Sequence, residues 1–243
     1  MRYVTGVYWC RGRSAKSNQD AVVLQQVLTG RGRVLLAAVC DGMGGISAGE
    51  EASGYAAYQL REWFYRDLLT MLRRRKHFWV IRRSLDRLVF HMQSQLRQYA
   101  AGKEISLGTT MTVAVLWEKY YLLWHLGDSR AYSLRGHHVE QLTTDHVHDG
   151  DKLTKCLGSF GYFRPQYRMG TLHRGEGVLL CTDGFRRQMT KRELGDVLHF
   201  ARRGLPLAGE EEQITRRLGE IGEACMKRGE TDNLSAVYVK CGI

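Results

Sequence analysis

Short apolar runs that read as β-strands alternate along the chain with stretches of helical spacing. Two of these runs, residues 111–117 and 120–126, are separated by only two residues, and a further pair is joined around Arg135 and Gly136. Connections this short require antiparallel pairing of the strands that they join. The other strand-like runs are residues 21–24, 34–39, 178–180 and 234–239.

Four segments show the three- and four-residue spacing of amphipathic helices. The first starts at Ser47, which forms a capping-box pattern with Glu50, and the third opens on the same pattern at Thr190 and Glu193. The fourth ends near Gly229, as expected for a helix C-terminus. The apolar stripes, which we expect to be core rather than a cofactor site, are Ala52, Ala56, Leu60, Trp63 and Phe64 in the first helix, Ile81, Leu85, Leu88, Met92, Leu96 and Tyr99 in the second, and Ile214, Leu218, Ile221 and Cys225 in the fourth.

This order of elements predicts an α+β fold in which helices cover antiparallel sheets. The 243 residues fit one fairly large domain, 1–243, and the hydrophobic content of 44% is ample for its core. Neither a signal peptide nor an apolar run of ~18 residues is found, so we expect a cytoplasmic protein without membrane insertion. The six cysteines show no metal-like pairing and are expected to be reduced.

The formal net charge of +11 favours anionic partners. Nucleic acid, an acidic membrane surface and acidic or phosphorylated proteins would all suit it. The densest basic cluster, residues 73–76, falls between the first two helical segments, which indicates a solvated loop. A nucleic-acid-binding role would rest on charge alone, because no recognised motif accompanies it; we therefore do not expect it.

Four aspartates stand at the ends of strand-like runs. Asp41 and Asp183 follow such runs, whereas Asp20 and Asp232 precede them. In an antiparallel sheet the end of one strand neighbours the start of the next, so the four carboxylates are expected to converge on one sheet edge. Any one of these aspartates in isolation is typical of a turn. Together they predict a metal site.

The ligand atoms in these strings are all oxygens, which favours hard ions such as Mg²⁺ or Mn²⁺ over zinc or copper. Two such ions held by shared carboxylates can activate water for attack on phosphorus. Phosphate-ester hydrolysis is therefore the chemistry that the aspartates favour.

A set of strings in fixed order gives the chain a resemblance to the metal-dependent protein serine/threonine phosphatases of type 2C, most closely their bacterial single-domain members. The resemblance runs almost end to end and implies an αββα sandwich with the metal centre at one edge, between the two sheets. The strings are Ser17-Asn18-Gln19-Asp20, Asp41-Gly42-Met43-Gly44-Gly45, Gly108-Thr109-Thr110, Gly127-Asp128-Ser129-Arg130, Thr144-Asp145-His146, Thr182-Asp183-Gly184 and Thr231-Asp232-Asn233.

The resemblance also implies two Mn²⁺ or Mg²⁺ ions in the active site and a third that is held more weakly. Asp41 and Asp183 would be catalytic, Asp41 by orienting the attacking water. Carried over residue by residue, the ligands would be Asp41 bridging two ions, Asp20 and the Gly42 carbonyl completing one, Asp183 and Asp232 holding the other, and Asp128 helping to bind the third.

Two departures from the family pattern concern the substrate. The family usually places a phosphate-binding arginine three residues before the asparagine of Asn18-Gln19-Asp20, and that position is Ala15 here. Arg13 and Lys16 are the candidate replacements, with Arg11 also close in sequence. The second departure is a segment at about 145–168 that is shorter than the family's helical flap, which predicts a more open approach to the site.

Two further positions affect the chemistry that can be assigned. Met43 stands where eukaryotic relatives often carry a histidine proposed as general acid, so the acid that protonates the leaving group is left open. Residues 145–151 contain several ligand-type side chains, among them His148, but they match the border of the flap and are interpreted as polar loop residues rather than as a second metal site.

The sequence thus favours a phosphatase that removes phosphate from serine and threonine of cytoplasmic proteins and opposes a serine/threonine kinase. We expect it to be a monomer. The alternative is a catalytically silent adaptor or sensor of the same fold, motivated by Ala15 and the short flap. Retention of all four principal aspartates favours the enzyme.

Overall fold

The computed structural model describes residues 1–14, 16–45, 47–136, 138–149, 152–158, 161, 164–196 and 207–242. The strands in these residues are β1 Tyr3–Cys10, β2 Asp20–Thr29, β3 Gly32–Gly44, β4 Leu107–Thr109, β5 Met111–Trp117, β6 Tyr120–Leu126, β7 Arg130–Arg135, β8 His138–Gln141, β9 Val147–His148, β10 Lys152–Leu153, β11 Gln166–Thr171, β12 Gly177–Cys181 and β13 Leu234–Cys241. The helices are α1 Ala48–Trp63, α2 Leu69–Arg73, α3 Phe78–Lys103, α4 Asp183–Arg186, α5 Lys191–Asp196 and α6 Leu207–Lys227, with a π-helical turn at Phe64–Leu68.

Two antiparallel sheets form the centre of the fold. The first sheet has the order β1-β13-β12-β7-β8, and the second has the order β11-β6-β5-β3-β2 with β4 paired to β3. The two short connections identified in the sequence are hairpins, because Trp117 pairs with Tyr120 and Arg135 pairs with His138. The predicted antiparallel pairing is therefore confirmed.

The alternation of side chains along β3 produces the layers. Leu35, Ala37 and Val39 pack between the two sheets, against β12 and β13 of the first sheet. Leu36 and Ala38 point the other way, into a cluster with the buried faces of α1 and α3. On the far side of the first sheet, α6 packs on the outer faces of β12 and β13. The result is the αββα sandwich that the resemblance implies.

The first helical segment begins where the sequence predicts and continues beyond the predicted apolar stripe. Ser47 is the N-cap of α1, yet its side chain makes no capping hydrogen bond, so the predicted capping box with Glu50 is wrong. The Ser47 carbonyl instead accepts the Glu51 amide at 3.1 Å. The chain remains helical past Trp63, through the π-helical turn and α2, because buried Phe64, Leu68 and Leu72 continue the apolar stripe.

The later helices agree more closely with the sequence. Thr190 and Glu193 form a reciprocal capping box at the start of α5, with the Thr190 amide 2.8 Å from Glu193 Oε2 and the Glu193 amide 3.1 Å from Thr190 Oγ1. Past the end of α6, Gly229 adopts a φ of 103°, as expected for a C-terminal glycine. In α3, Tyr99 is 41% exposed, so it does not belong to the core as predicted. Its hydroxyl donates to Glu51 instead.

Three smaller expectations can be compared with the structure. The basic residues 73–76 are exposed and connect α2 to α3, as predicted. All six cysteines are free thiols, and all but Cys10 are buried. Among the described helices, none is both long and apolar enough to span a membrane.

Candidate metal centre

Asp20 and Asp41 lie opposite each other at one end of the β2–β3 pair. Asp20 opens β2 after a turn in which Asn18 Oδ1 accepts the Asp20 amide at 3.0 Å. The Asp41 amide donates to Thr110 Oγ1 at 2.9 Å, and the Asp41 carbonyl accepts the Thr110 amide at 2.8 Å. The strand register and the local hydrogen bonds therefore fix the backbone positions of both aspartates.

Asp183 and Asp232 belong to the other sheet. Asp183 is the first residue of α4, immediately beyond β12, and Asp232 lies two residues before β13. The prediction that all four carboxylates share one sheet edge is therefore wrong. Antiparallel neighbours do bring each pair together, but face-to-face packing of the sheets brings the two pairs into one site.

Thr182 connects the two sheets at this site. Its buried hydroxyl donates to Asp20 Oδ2 at 3.0 Å and accepts the Ser235 amide at 3.0 Å. Asn233 adds a second link, because its Oδ1 accepts the Gln19 amide at 2.8 Å. The strings around Asp20, Asp183 and Asp232 thus hydrogen-bond one another directly.

The tightest carboxylate group in the described residues consists of Asp41, Asp128 and Asp183. One oxygen from each lies within 4.8 Å of the others. Asp128 sits in the turn after β6 beside Gly127, whose φ is 109° and whose Cβ position would be 2.5 Å from the Thr110 side chain. Only glycine fits this turn. Asp128, which the sequence placed below the other ligands, therefore lies at the heart of the cluster.

Burial and mutual repulsion shift the titration of these carboxyls. Burial raises the pKa of Asp20 to about 7 and that of Asp183 to about 6, and the charge of Asp128 adds to the second shift. Burial, together with the charges of Asp20 and Asp183, raises the pKa of Asp41 well above its usual value. A divalent cation in the cluster would reverse these shifts by favouring the charged forms.

The donor set fits a hard divalent ion. Asp183 Oδ1 is buried and has no hydrogen-bond partner among the described residues, which is costly unless a ligand occupies it. The backbone beside Asp41 is closely packed, since a Cβ at Gly42 would lie 2.0 Å from the Gly49 carbonyl oxygen. Clustered carboxylate oxygens with one buried oxygen unpaired are suited to Mg²⁺ or Mn²⁺.

Two arginines next to the cluster were missed by the sequence analysis. Arg187 contacts Asp183, lies 3.3 Å from Asp232 Oδ2, and lies 3.7 Å from Glu230 Oε1. Arg186 lies 3.8 Å from Asp128 Oδ2. The signal was available, because residues three and four positions after Asp183 in a helix lie on its side of that helix.

Arg186 also belongs to a structural network that borders the site. It lies 3.4 Å from Asp145 Oδ2, and Arg130 holds the same carboxylate with Nε at 2.9 Å from Oδ1 and Nη2 at 2.7 Å from Oδ2. His146 Nδ1 accepts the Gly127 amide at 3.1 Å, and its ring stacks on that of buried His125. Asp145 and His146 thus brace the Asp128 turn.

The remaining ligand-type residues of the 145–151 segment form no metal group in the part of the chain that the structure describes. The His148 side chain is 75% exposed and contacts only Asp149 among the described ion pairs. Gly150 and Asp151 lie outside the described residues. His148 lies in strand β9 and pairs with Lys152 of β10, so the interpretation of this residue as part of a loop is wrong. That the segment holds no second metal ion stays a prediction.

The sequence-based candidates for phosphate binding lie on the loop before Asp20. The loop packs against Asp232, because a Cβ at Gly12 would be 1.8 Å from the Asp232 carbonyl oxygen. Arg13 and Lys16 are both exposed, and neither forms an ion pair with the cluster in the described residues. Ala15, which replaces the family's arginine, lies outside the described residues.

A protein-family model and several known proteins match most of this chain. The family model described as protein phosphatase 2C matches residues 11–221. Protein phosphatase PhpP of Streptococcus pneumoniae is 25% identical over 230 residues, which cover 87% of this chain and 89% of PhpP.

Solved structures share the fold over almost the whole chain. The serine/threonine phosphatase of S. agalactiae superimposes with a TM-score of 0.81 at 19% identity, covering 98% of this chain and 99% of that one. The catalytic domain of the phosphatase PstP, solved with two manganese ions, gives a TM-score of 0.74 at 23% identity and covers 99% of both chains. These likenesses confirm the αββα fold. Because the family model covers far more than half of the sequence, the chain belongs to the protein phosphatase 2C family.

Proposed function

We propose that the protein is a protein serine/threonine phosphatase that hydrolyses phosphoserine and phosphothreonine with the help of Mn²⁺ or Mg²⁺. The observation that carries this proposal is the group formed by Asp41, Asp128 and Asp183, with the buried Asp183 Oδ1 left unpaired. Family membership supports it, as do the names of PhpP and PstP. The catalytically silent adaptor is disfavoured, because that function would not require this cluster.

The chain's own residues would hold the ions and orient the reactants. Asp41 is central, with Asp20 opposite it in the strand register, and Asp183 and Asp232 approach from the other sheet. The Gly42 carbonyl is retained as a further ligand, and Asp128 would hold a third ion. Bound divalent ions would supply charge neutralisation of the phosphoryl oxygens and activation of the attacking water.

Hydrogen bonds from neighbouring residues hold two of the proposed ion ligands in place. The Thr182 hydroxyl holds one oxygen of Asp20, and the Thr110 amide and hydroxyl hold the backbone of Asp41. Donors and ligands fixed before the reaction need little rearrangement in the transition state. Because the cluster carboxyls have raised pKa values, ion binding should release protons.

The biological setting is part of the same proposal. The substrates would be phosphorylated proteins of the cytoplasm, including a serine/threonine kinase that the enzyme opposes, and the enzyme would act as a monomer with one domain over 1–243. The net charge of +11 suits anionic substrates. The segment at about 145–168 would be a shortened flap that leaves the site open. Before β11, its described part contains the two-residue strands β9 and β10 and an isolated bridge between Leu157 and Thr109.

The test combines turnover with direct ion binding. Hydrolysis of a phosphothreonine peptide is measured with and without Mn²⁺ for the intact protein and for Asp41→Asn and Asp183→Asn, and Mn²⁺ binding is followed by electron paramagnetic resonance. Asp149→Asn is the matched control, because this exposed aspartate lies outside the cluster. We expect manganese-dependent turnover that both cluster variants lose and the control keeps. Mn²⁺ binding without any turnover by the intact protein would favour the adaptor.

A further inference from the structure

Arg187 lies beside the carboxylate cluster and contacts two of its proposed ion ligands. Its guanidinium contacts Asp183 through Nη2 and lies 3.3 Å from Asp232 Oδ2 through Nη1. It therefore joins two proposed ion ligands from separate segments, Asp183 at the start of α4 and Asp232 in the connection before β13. No other Lys or Arg forms an ion pair with either aspartate within the residues that the structure describes.

The contacts of Arg187 leave one oxygen of Asp183 available for an ion. Its partner on Asp183 is Oδ2, whereas Asp183 Oδ1 is buried and has no partner in the part of the chain that the structure describes. On Asp232 the guanidinium again meets Oδ2, while Oδ1 accepts the Asn233 amide at 2.8 Å. Arg187 can therefore neighbour an ion at Asp183 without taking every oxygen that the ion would need.

The guanidinium also faces solvent. The Arg187 side chain is 43% exposed, in contrast to 10% for Asp183 beneath it. A guanidinium has five N–H donors in a planar fork. The contacts with Asp183, Asp232 and Glu230 use only Nη1 and Nη2 in the described residues, so part of the five-donor set is left for another acceptor. A fork of this kind matches two oxygens of a phosphate group.

The neighbouring cations are placed less well for this role. Arg186 is only 18% exposed, and its guanidinium lies between Asp128 and Asp145. Arg11 donates to the Lys16 carbonyl at 3.3 Å, within its own loop. Arg13 and Lys16 are exposed without an ion pair to the cluster in the described residues. Among these cations, Arg187 combines contact with the ion ligands and exposure to solvent.

We propose that Arg187 is the cation that binds the substrate phosphate in this chain, a role that rests on the proposed phosphatase function. Asp183, Asp232 and Glu230 hold the guanidinium at the edge of the cluster, and its outward N–H groups donate to the phosphoryl oxygens. The ligand class is a phosphate monoester dianion, or inorganic phosphate as the product.

The experiment measures binding of inorganic phosphate to the Mn²⁺-loaded protein by calorimetry, together with kcat and KM for a phosphothreonine peptide. The variants are Arg187→Gln, Arg187→Lys, Arg13→Gln and Lys16→Gln. Arg192→Gln serves as the control, because its side chain is 91% exposed on α5 and lies outside the site. Mn²⁺ affinity is measured for each variant by electron paramagnetic resonance.

We expect Arg187→Gln to weaken phosphate binding and raise KM about 10- to 100-fold, as loss of charge-assisted hydrogen bonds implies, while Mn²⁺ affinity does not fall, because the variant removes a cation that neighbours the ion ligands. Arg187→Lys should recover part of the loss, because it keeps the charge without the fork. Unchanged phosphate binding in Arg187→Gln overturns the proposal, as does a larger loss in Arg13→Gln or Lys16→Gln. So does a fall in Mn²⁺ affinity that accounts for the whole effect, since Arg187 would then only position the ligands.

Phosphate binding separates this inference from the proposed function. If the intact protein binds Mn²⁺ and phosphate but does not turn over peptide, the phosphatase proposal fails while the Arg187 assignment is still decided by the calorimetry. If turnover is normal and Arg187→Gln binds phosphate as well as the intact protein does, the phosphatase stands and the Arg187 assignment fails.

Discussion

Thr182→Val tests how the two sheets are joined at the metal centre. Valine has nearly the shape of threonine but has no hydroxyl. The substitution removes the 3.0 Å hydrogen bond to Asp20 Oδ2 and the 3.0 Å bond from the Ser235 amide. Thr182 and Ser235 are 0% exposed and Asp20 is 4% exposed. The Asp20 carboxyl and the Ser235 amide therefore stay buried with one hydrogen bond fewer each.

The expected cost follows from these two lost bonds. A buried polar group left unpaired costs about 1–3 kcal/mol, and a hydrogen bond to a charged group lies toward the upper end. Because the two bonds share one hydroxyl, their effects are not additive. We expect the free energy of unfolding to fall by about 3 kcal/mol. Loss of the hydrogen bond that holds the Asp20 carboxylate in place should also weaken Mn²⁺ binding.

Urea unfolding without added metal, at a pH well above 7 so that Asp20 is ionised, measures the loss of stability. Mn²⁺ titration followed by electron paramagnetic resonance measures the effect on the metal site. Thr182→Ser is the matched control, because it keeps the hydroxyl and loses one methyl group, at a cost of about 1 kcal/mol. A Thr182→Val protein within about 0.5 kcal/mol of the intact protein would refute the hydrogen-bond argument. So would a Thr182→Ser protein that is the less stable of the two variants.

Three further predictions concern the buried histidine, the core and the ions. Burial lowers the pKa of His125 to about 4 from 6.5, so the unfolded chain protonates this residue first, and its contribution to stability should fall by about 3 kcal/mol as the pH drops through this window. The buried carboxyls with raised pKa values act in the opposite direction, so the His125 contribution is measured as the difference in urea unfolding between the intact protein and His125→Asn at several pH values. Leu218→Ala, at a fully buried position of α6, should cost about 2–5 kcal/mol in urea unfolding. Mn²⁺ at about 100 times its Kd should stabilise the protein by about 2.7 kcal/mol, measured by thermal unfolding, and Asp183→Asn should remove most of this gain.

Each of these predictions has a control and an opposing result. A pH slope that His125→Asn leaves unchanged, and that the exposed His148→Asn alters, would contradict the buried-histidine argument. Leu28 is 69% exposed, so Leu28→Ala should be nearly neutral, and an equal loss at both leucines would contradict the packing argument. Equal Mn²⁺ stabilisation of the intact protein and Asp183→Asn would count against the ion ligands.

The sequence by itself determined the local elements and the family. Apolar runs and short connections were sufficient to predict the β5–β6 and β7–β8 hairpins, since pairing across such connections is a local property. The Thr190–Glu193 capping box was also readable, because its partners are three residues apart. The ordered aspartate strings identified the family, and the model match over residues 11–221 confirmed it.

Tertiary structure decided how the pieces of the site meet. Which sheet carries each aspartate depends on the strand order, and strand order is set by contacts between residues far apart in sequence. Asp20 and Thr182 are 162 positions apart and share a hydrogen bond. Local periodicity carries no information about such a pair. The position of Asp128 inside the cluster depended in the same way on the packing of the β6–β7 turn beside Thr110.

Arg186 and Arg187 show which contacts helical spacing predicts and which depend on tertiary packing. Helical spacing alone implies that Arg186 and Arg187 can approach Asp183. It does not say that Arg187 also reaches Asp232, or that Arg186 turns toward Asp128 and Asp145, because those partners come from other elements. The sequence specified the charges and their local spacing, whereas packing of the two sheets decided which charges share one low-dielectric site.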